Sequence, residues 1–218
     1  MLFRSVAHCL HAAIFIASGD AQRMLEASDA VVEVSESAGE RLWTSLGYGF
    51  KAWAESRLGQ HAAAAASMAK GKAIIAGLGG QVVAADWLAA AEAEMALNAG
   101  RVEEALRLAP IAVAFAKNVG GIYGVALAER TWAQALTRLE LPAWGEAQSH
   151  LEESMRLFEE GDSRLEVART HCVFGDLGRA RGDHSGAAMH YQKALAQFEL
   201  SGMESDAARM RELLQVAA

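Results

Sequence analysis

The chain of 218 residues has two cysteines, two prolines and aromatic residues at only 7% of its length. Two thiols in a chain of this size cannot form a disulfide framework, so a small secreted scaffold is excluded and a reducing, cytoplasmic setting is expected. So few prolines, with long β-branched runs scarce, argue against a β-sandwich and against a disordered Pro-rich tail. Basic residues are also in deficit: 20 Lys and Arg stand against 27 Asp and Glu, giving a net charge of −7 and a pI near 5.5. That balance excludes a broad footprint for nucleic acid. No uninterrupted apolar run reaches the roughly 18 residues a spanning helix needs, so no membrane partner is expected. The apolar stretch after Arg4 is interrupted by His8 and His11, and Ala17-Ser18-Gly19-Asp20 makes a poor cleavage site, which disfavours a secretory signal.

Patterns that carry chemistry are missing as well. Gly77-Leu78-Gly79-Gly80 lacks the Lys-Ser/Thr that a phosphate cradle requires, and no Ser-centred nucleophile elbow occurs. His8 and His11, three apart, share a helix face beside Cys9, a grouping that can be read as metal ligands, and His171-Cys172 repeats part of that pattern 163 residues later. Four repeats separate the two groups, so they are read as buried or half-buried packing groups and no metal site is expected. His61, His150, His184 and His190 support no triad. Glu103-Glu104, Glu152-Glu153 and Glu159-Glu160 read as solvated helix faces rather than as acid/base pairs. Neither catalysis nor a cofactor is expected.

What is present is alanine, about a fifth of the chain, and a period. One ladder of glycines runs through Gly39, Gly79, Gly120, Gly161 and Gly202, spaced by 40, 41, 41 and 41 residues. A second comprises Gly19, Gly59, Gly100 and Gly182, with Pro142 in the remaining slot. Glycine supplies the left-handed conformation that ends a helix. The interleaved ladders therefore predict eleven helices joined by tight turns: five pairs, over about 1–39, 40–79, 80–120, 121–161 and 162–202, and a last helix over 203–218.

Side-chain size keeps the same phase. Seven residues before each inner turn stand Ala12, Ala52, Ala93, Ala135 and Gly175. Five residues after it come Met24, Ala64, Ala105, Ala147 and Ala187, and twelve after it Val31, Gly71, Ala112, Ser154 and Ala194. The intervening row of Ser28, Met68, Ala109, Leu151 and Tyr191 is mostly larger. Small residues on both arms allow helix backbones to approach, and a larger one between them serves as a knob for the next pair. Pro110, inside a second helix, is expected to kink it.

These rows resemble the tetratricopeptide repeat, most closely at Phe174-Gly175, Ala187, Tyr191 and Ala194. The period is near 41 rather than 34, and most repeats lack the early aromatic and the closing proline. The long form is similar to the sensor arrays of bacterial signal-transduction ATPases and maltotriose-type transcription activators. The resemblance implies an all-α, right-handed α-solenoid spanning one domain, capped by its last helix. It implies a scaffold that binds a protein or peptide segment, or a small-molecule effector, in a concave groove lined by first helices. The other role it implies is the ligand-sensing part of a larger regulator. In that register Trp53, Trp87 and Trp132 are expected to anchor the ligand, with Glu94, Glu129, Arg169, Asp176 and Arg179 giving polar selectivity. Trp43 and Trp144, near helix starts, are expected to be packing residues. The first helix is apolar around most of its circumference, unlike a terminal cap. Leu2, Phe3, Val6 and Leu10 therefore predict a covering neighbour, either an upstream domain or a second copy of the chain.

Overall fold

The computed structural model describes residues 2–80 and 82–217, with side chains from 4 to 215. Among the described residues the chain is all-α, with eleven helices and no strand. The helices are α1 (Leu2–Ser18), α2 (Ala21–Ala38), α3 (Arg41–Arg57), α4 (His61–Ala76), α5 (Ala85–Asn98) and α6 (Val102–Val119). They continue as α7 (Ile122–Thr137), α8 (Trp144–Glu160), α9 (Arg164–Ala180), α10 (His184–Leu200) and α11 (Glu204–Ala217). No helix among the described residues is long and apolar enough to cross a membrane.

The chain groups into two compact units, one ending at Leu108 and the other beginning at Ala109. In the first, α1 packs on α2, α2 on α3 and α3 on α4, while α3 also touches α1 and α5. In the second, α7 packs on α8, α8 on α9, α9 on α10 and α10 on α11. Most of these connections are two or three residues long, which forces neighbouring helices to run antiparallel. Contacts are thus made mainly between helices adjacent in the chain, as in a helical repeat.

The turns follow the glycine ladders closely. Gly19, Gly39, Gly59, Gly100, Gly120, Gly182 and Gly202 all take positive φ, between 68° and 80°. Asp20 and Asp183 then cap the following helices, their carboxylates accepting from the backbone N–H of Arg23 (3.0 Å) and Gly186 (2.8 Å). One rung departs from expectation. Gly161 keeps φ at −84°, and the left-handed position moves to Asp162 at φ 47°. Asp tolerates that conformation better than most side chains, so the turn closes one residue later than the ladder implies. The 77–84 connection is longer than the others, with positive φ at Gly79, Gly80 and Ala84. At Pro110 the helix α6 remains unbroken from Val102 to Val119, and the division between the two units falls beside it.

All three small-residue rows are buried, and so is the knob row between them. The crossings are tight in the way those rows require. A Cβ added to Gly71 of α4 would stand 3.0 Å from the carbonyl oxygen of Ser45 in α3. In α8, the Ser154 hydroxyl donates to the carbonyl of Ala126 in α7 at 2.8 Å. At the end of the second unit, Tyr191 fills the space over Gly175, within a cluster that includes Cys172, Phe198, Ala207 and Met210. Gly175→Ala would drive a methyl group into the Tyr191 ring. It is expected to lose about 1–3 kcal/mol of stability by overpacking, despite the better helix propensity of alanine. Gly145→Ala, in α8 with open space around its Cα, should be neutral or slightly stabilising. Urea unfolding of the two variants checks both signs.

Candidate functional site

Three of the expected groove residues lie in the first unit, and they divide. Trp53 of α3 is fully buried, at 0% exposure. The Arg57 guanidinium covers its ring at 4.6 Å, and Arg57 also grips Glu94 of α5 in a two-pronged pair at 2.8 and 3.2 Å. Trp53 is therefore a core residue rather than a ligand anchor, and Glu94 is engaged as the tie between α3 and α5. Helices built from alanine leave space that something bulky must occupy, and this indole occupies it.

Trp87 is different. Half-buried at the start of α5, it lines a cavity of about 330 Å³ together with Trp43, Leu46 and Phe50 of α3. Val6, Cys9, Leu10 and Ala13 of α1 also line it, and the long 77–84 connection contributes Val83 and Ala84. The lining is almost wholly apolar. Burial pushes the Cys9 thiol up to about 11, so it stays protonated and behaves as a small apolar group. Trp43, expected to be a packing residue, is part of this wall. Leu10 is 63% exposed and Ile14 is likewise open, so part of α1's apolar surface faces outward. Of the predicted N-terminal interface, Val6 and Leu10 fall on the cavity, and the side chains of Leu2 and Phe3 lie outside the described residues.

In the second unit the predicted polar residues are engaged within the fold. Trp132 of α7 stacks on His150 of α8 with ring centroids 4.0 Å apart. The His150 Nδ1 also meets the carboxylate of Glu129, which is only 4% exposed and is approached by Lys117 at 3.6 Å. Glu129 and the half-buried Trp132 thus tie α7 to its partner helix α8. Asp176 accepts from the Tyr191 hydroxyl at 2.7 Å and has Arg179 and Arg209 nearby, at 3.8 and 3.9 Å. Burial, then this hydrogen bond, holds the Tyr191 phenol well above its usual range.

Arg169 belongs to a buried knot that the sequence did not announce. Its guanidinium pairs with Glu166, whose other oxygen meets Arg130 of α7 at 2.6 Å. Arg130 also donates to the Glu166 carbonyl and the Thr170 hydroxyl, at 3.2 and 3.3 Å, and lies 5.2 Å over the Phe158 ring. Glu166→Ala would leave two guanidiniums buried without their shared counter-ion. The expected cost is about 3–5 kcal/mol in urea unfolding, with Glu166→Gln losing less because hydrogen bonding survives.

Two further imidazoles come together in this unit. His171 of α9 and His190 of α10 face each other with Nδ1 atoms 3.0 Å apart, so one Nδ1–H donates to the other's lone pair. Phe174 stacks on His190 with ring centroids 4.8 Å apart. Burial, then His190 and then Lys193, push His171 down to about 4 from its ordinary 6.5, and burial and Lys193 also lower His190. A lowered value means that the fold holds the neutral ring. The resulting stability is complete above about pH 6.5 and is lost as pH falls towards about 4. His171→Asn should flatten that part of the acid-unfolding profile, read by circular dichroism.

No family model and no curated protein matches the chain. Solved structures do: 32 chains are similar to it. Among them is BtubC (BKLC) from P. vanneervenii, at 14% identity and a TM-score of 0.59, with 94% of this chain and 91% of that one covered. The likeness is one of fold, a helical array of repeat type.

Proposed function

We propose that the chain is a tetratricopeptide-like array that binds rather than catalyses, taking an apolar side chain of a protein or peptide segment into the α1–α3–α5 cavity. The observation that carries this reading is that two half-buried indoles, Trp43 and Trp87, line an almost wholly apolar space of about 330 Å³. Indoles in a partly dry pocket are the side chains on which binding energy concentrates. The cavity walls carry one titratable group, Cys9, and its thiol is held protonated, an arrangement suited to holding a ligand and poor for acid–base or nucleophilic work. The first-helix side of the repeat is the side the resemblance assigns to binding, although Trp87 and its neighbours, not Trp53, now form the centre.

A peptide library selected on the full chain, followed by fluorescence titration of the best binder, tests this reading. Trp87→Ala should weaken the selected peptide about thirtyfold, the scale of a binding hot spot, while Trp144→Phe in the second unit should leave it unchanged. A library that yields no binder, or an affinity indifferent to Trp87 and Trp43, overturns it.

A further inference from the structure

Two clefts beside α9 are not used by the binding reading. One, of about 340 Å³, is lined by Val167, Ala168 and His171 of α9 with Glu159 of α8 and Lys193 of α10. The other, of about 580 Å³, is lined by Phe174, Leu177 and Gly178 of α9 with Glu152 of α8 and His190 of α10. His171 lines the first cleft and His190 the second, and their Nδ1 atoms meet at 3.0 Å.

We propose that His171 and His190 form a two-imidazole site for a borderline divalent transition-metal ion, Cu²⁺ above all. A separation of 3.0 Å between the Nδ1 atoms subtends roughly a right angle at an ion bonded at about 2.0–2.1 Å to each nitrogen, once each ring turns its lone pair off the N···N line that the hydrogen bond occupies. That is the cis angle of the tetragonal geometry that Cu²⁺ prefers, and Cu²⁺ also stands highest in divalent affinity. Both rings are kept neutral, so their lone pairs are available near neutral pH. Uptake costs no proton, because the imidazole that donates through Nδ1 can carry its hydrogen on Nε2 instead. The stack on Phe174 fixes the plane of His190 before the ion arrives.

Among the described residues no three His, Cys, Asp or Glu side chains converge, so the protein supplies two ligands and water from the clefts completes the shell. The charges around the pair are mixed. Lys193, Arg164 and Arg181 oppose a cation, whereas Glu159 and Asp162 on one side and Glu152 and Asp183 on the other favour it.

Titration of the chelator-treated full chain with copper(II) sulfate, by calorimetry and electron paramagnetic resonance, decides the matter. One tight site with coupling to two nitrogens is expected. His171→Ala and His190→Ala should each lower the affinity about a hundredfold, the scale on which a second tethered ligand acts. His8→Ala/His11→Ala should leave the site intact, and Lys193→Gln should raise its affinity several-fold. A wild-type spectrum with no two-nitrogen signal, or binding unchanged by either alanine at α9 or α10, overturns the proposal and leaves a proton-sharing pair.

Discussion

Close approach of helix backbones is the constraint on which the rest depends. Helices carrying alanine, glycine or serine at their crossings can come together until main-chain atoms nearly touch, and Gly71 against Ser45 is such a place. An array of this kind needs few large side chains, which accounts for the low aromatic content. It also means that a large side chain buried among such helices occupies a gap that would otherwise be a cavity. Trp53, Phe158, Tyr191 and Phe198, all nearly or wholly buried, are the residues that fill such gaps.

Much of the fold was legible because it rests on period and size. Glycines at a fixed interval announce where helices stop, and small residues held in phase with them announce which faces meet. Both signals are local and repeat often enough to reinforce each other. Gly161 shows where such reading reaches its limit: a neighbouring Asp can adopt the left-handed position, and the period alone does not reveal which of the two residues does so.

The candidate site was less legible. The repeat register places a residue on a helix face but does not identify its partner there. Glu94 meets Arg57, 37 residues earlier, and Glu129 meets His150, 21 residues later, so both carboxylates are consumed by the fold. The Arg130–Glu166–Arg169 knot joins residues that no motif connects. The Trp43–Trp87 cavity draws Val83 and Ala84 from the 77–84 connection, the longest between the helices. What could be foreseen was that Trp53, Trp87 and Trp132 fall on first helices of consecutive repeats. Which of them remained partly open required coordinates.

Helices that touch chiefly their neighbours along the chain have an evolutionary corollary. Copying one forty-one-residue segment in tandem would add a hairpin whose two faces already match those flanking it, and deleting one would rejoin equally compatible surfaces. Genes for such proteins can therefore lengthen or shorten by unequal recombination without passing through an unfoldable product. A near-constant interval between the glycines, as in this chain, keeps such an exchange in register.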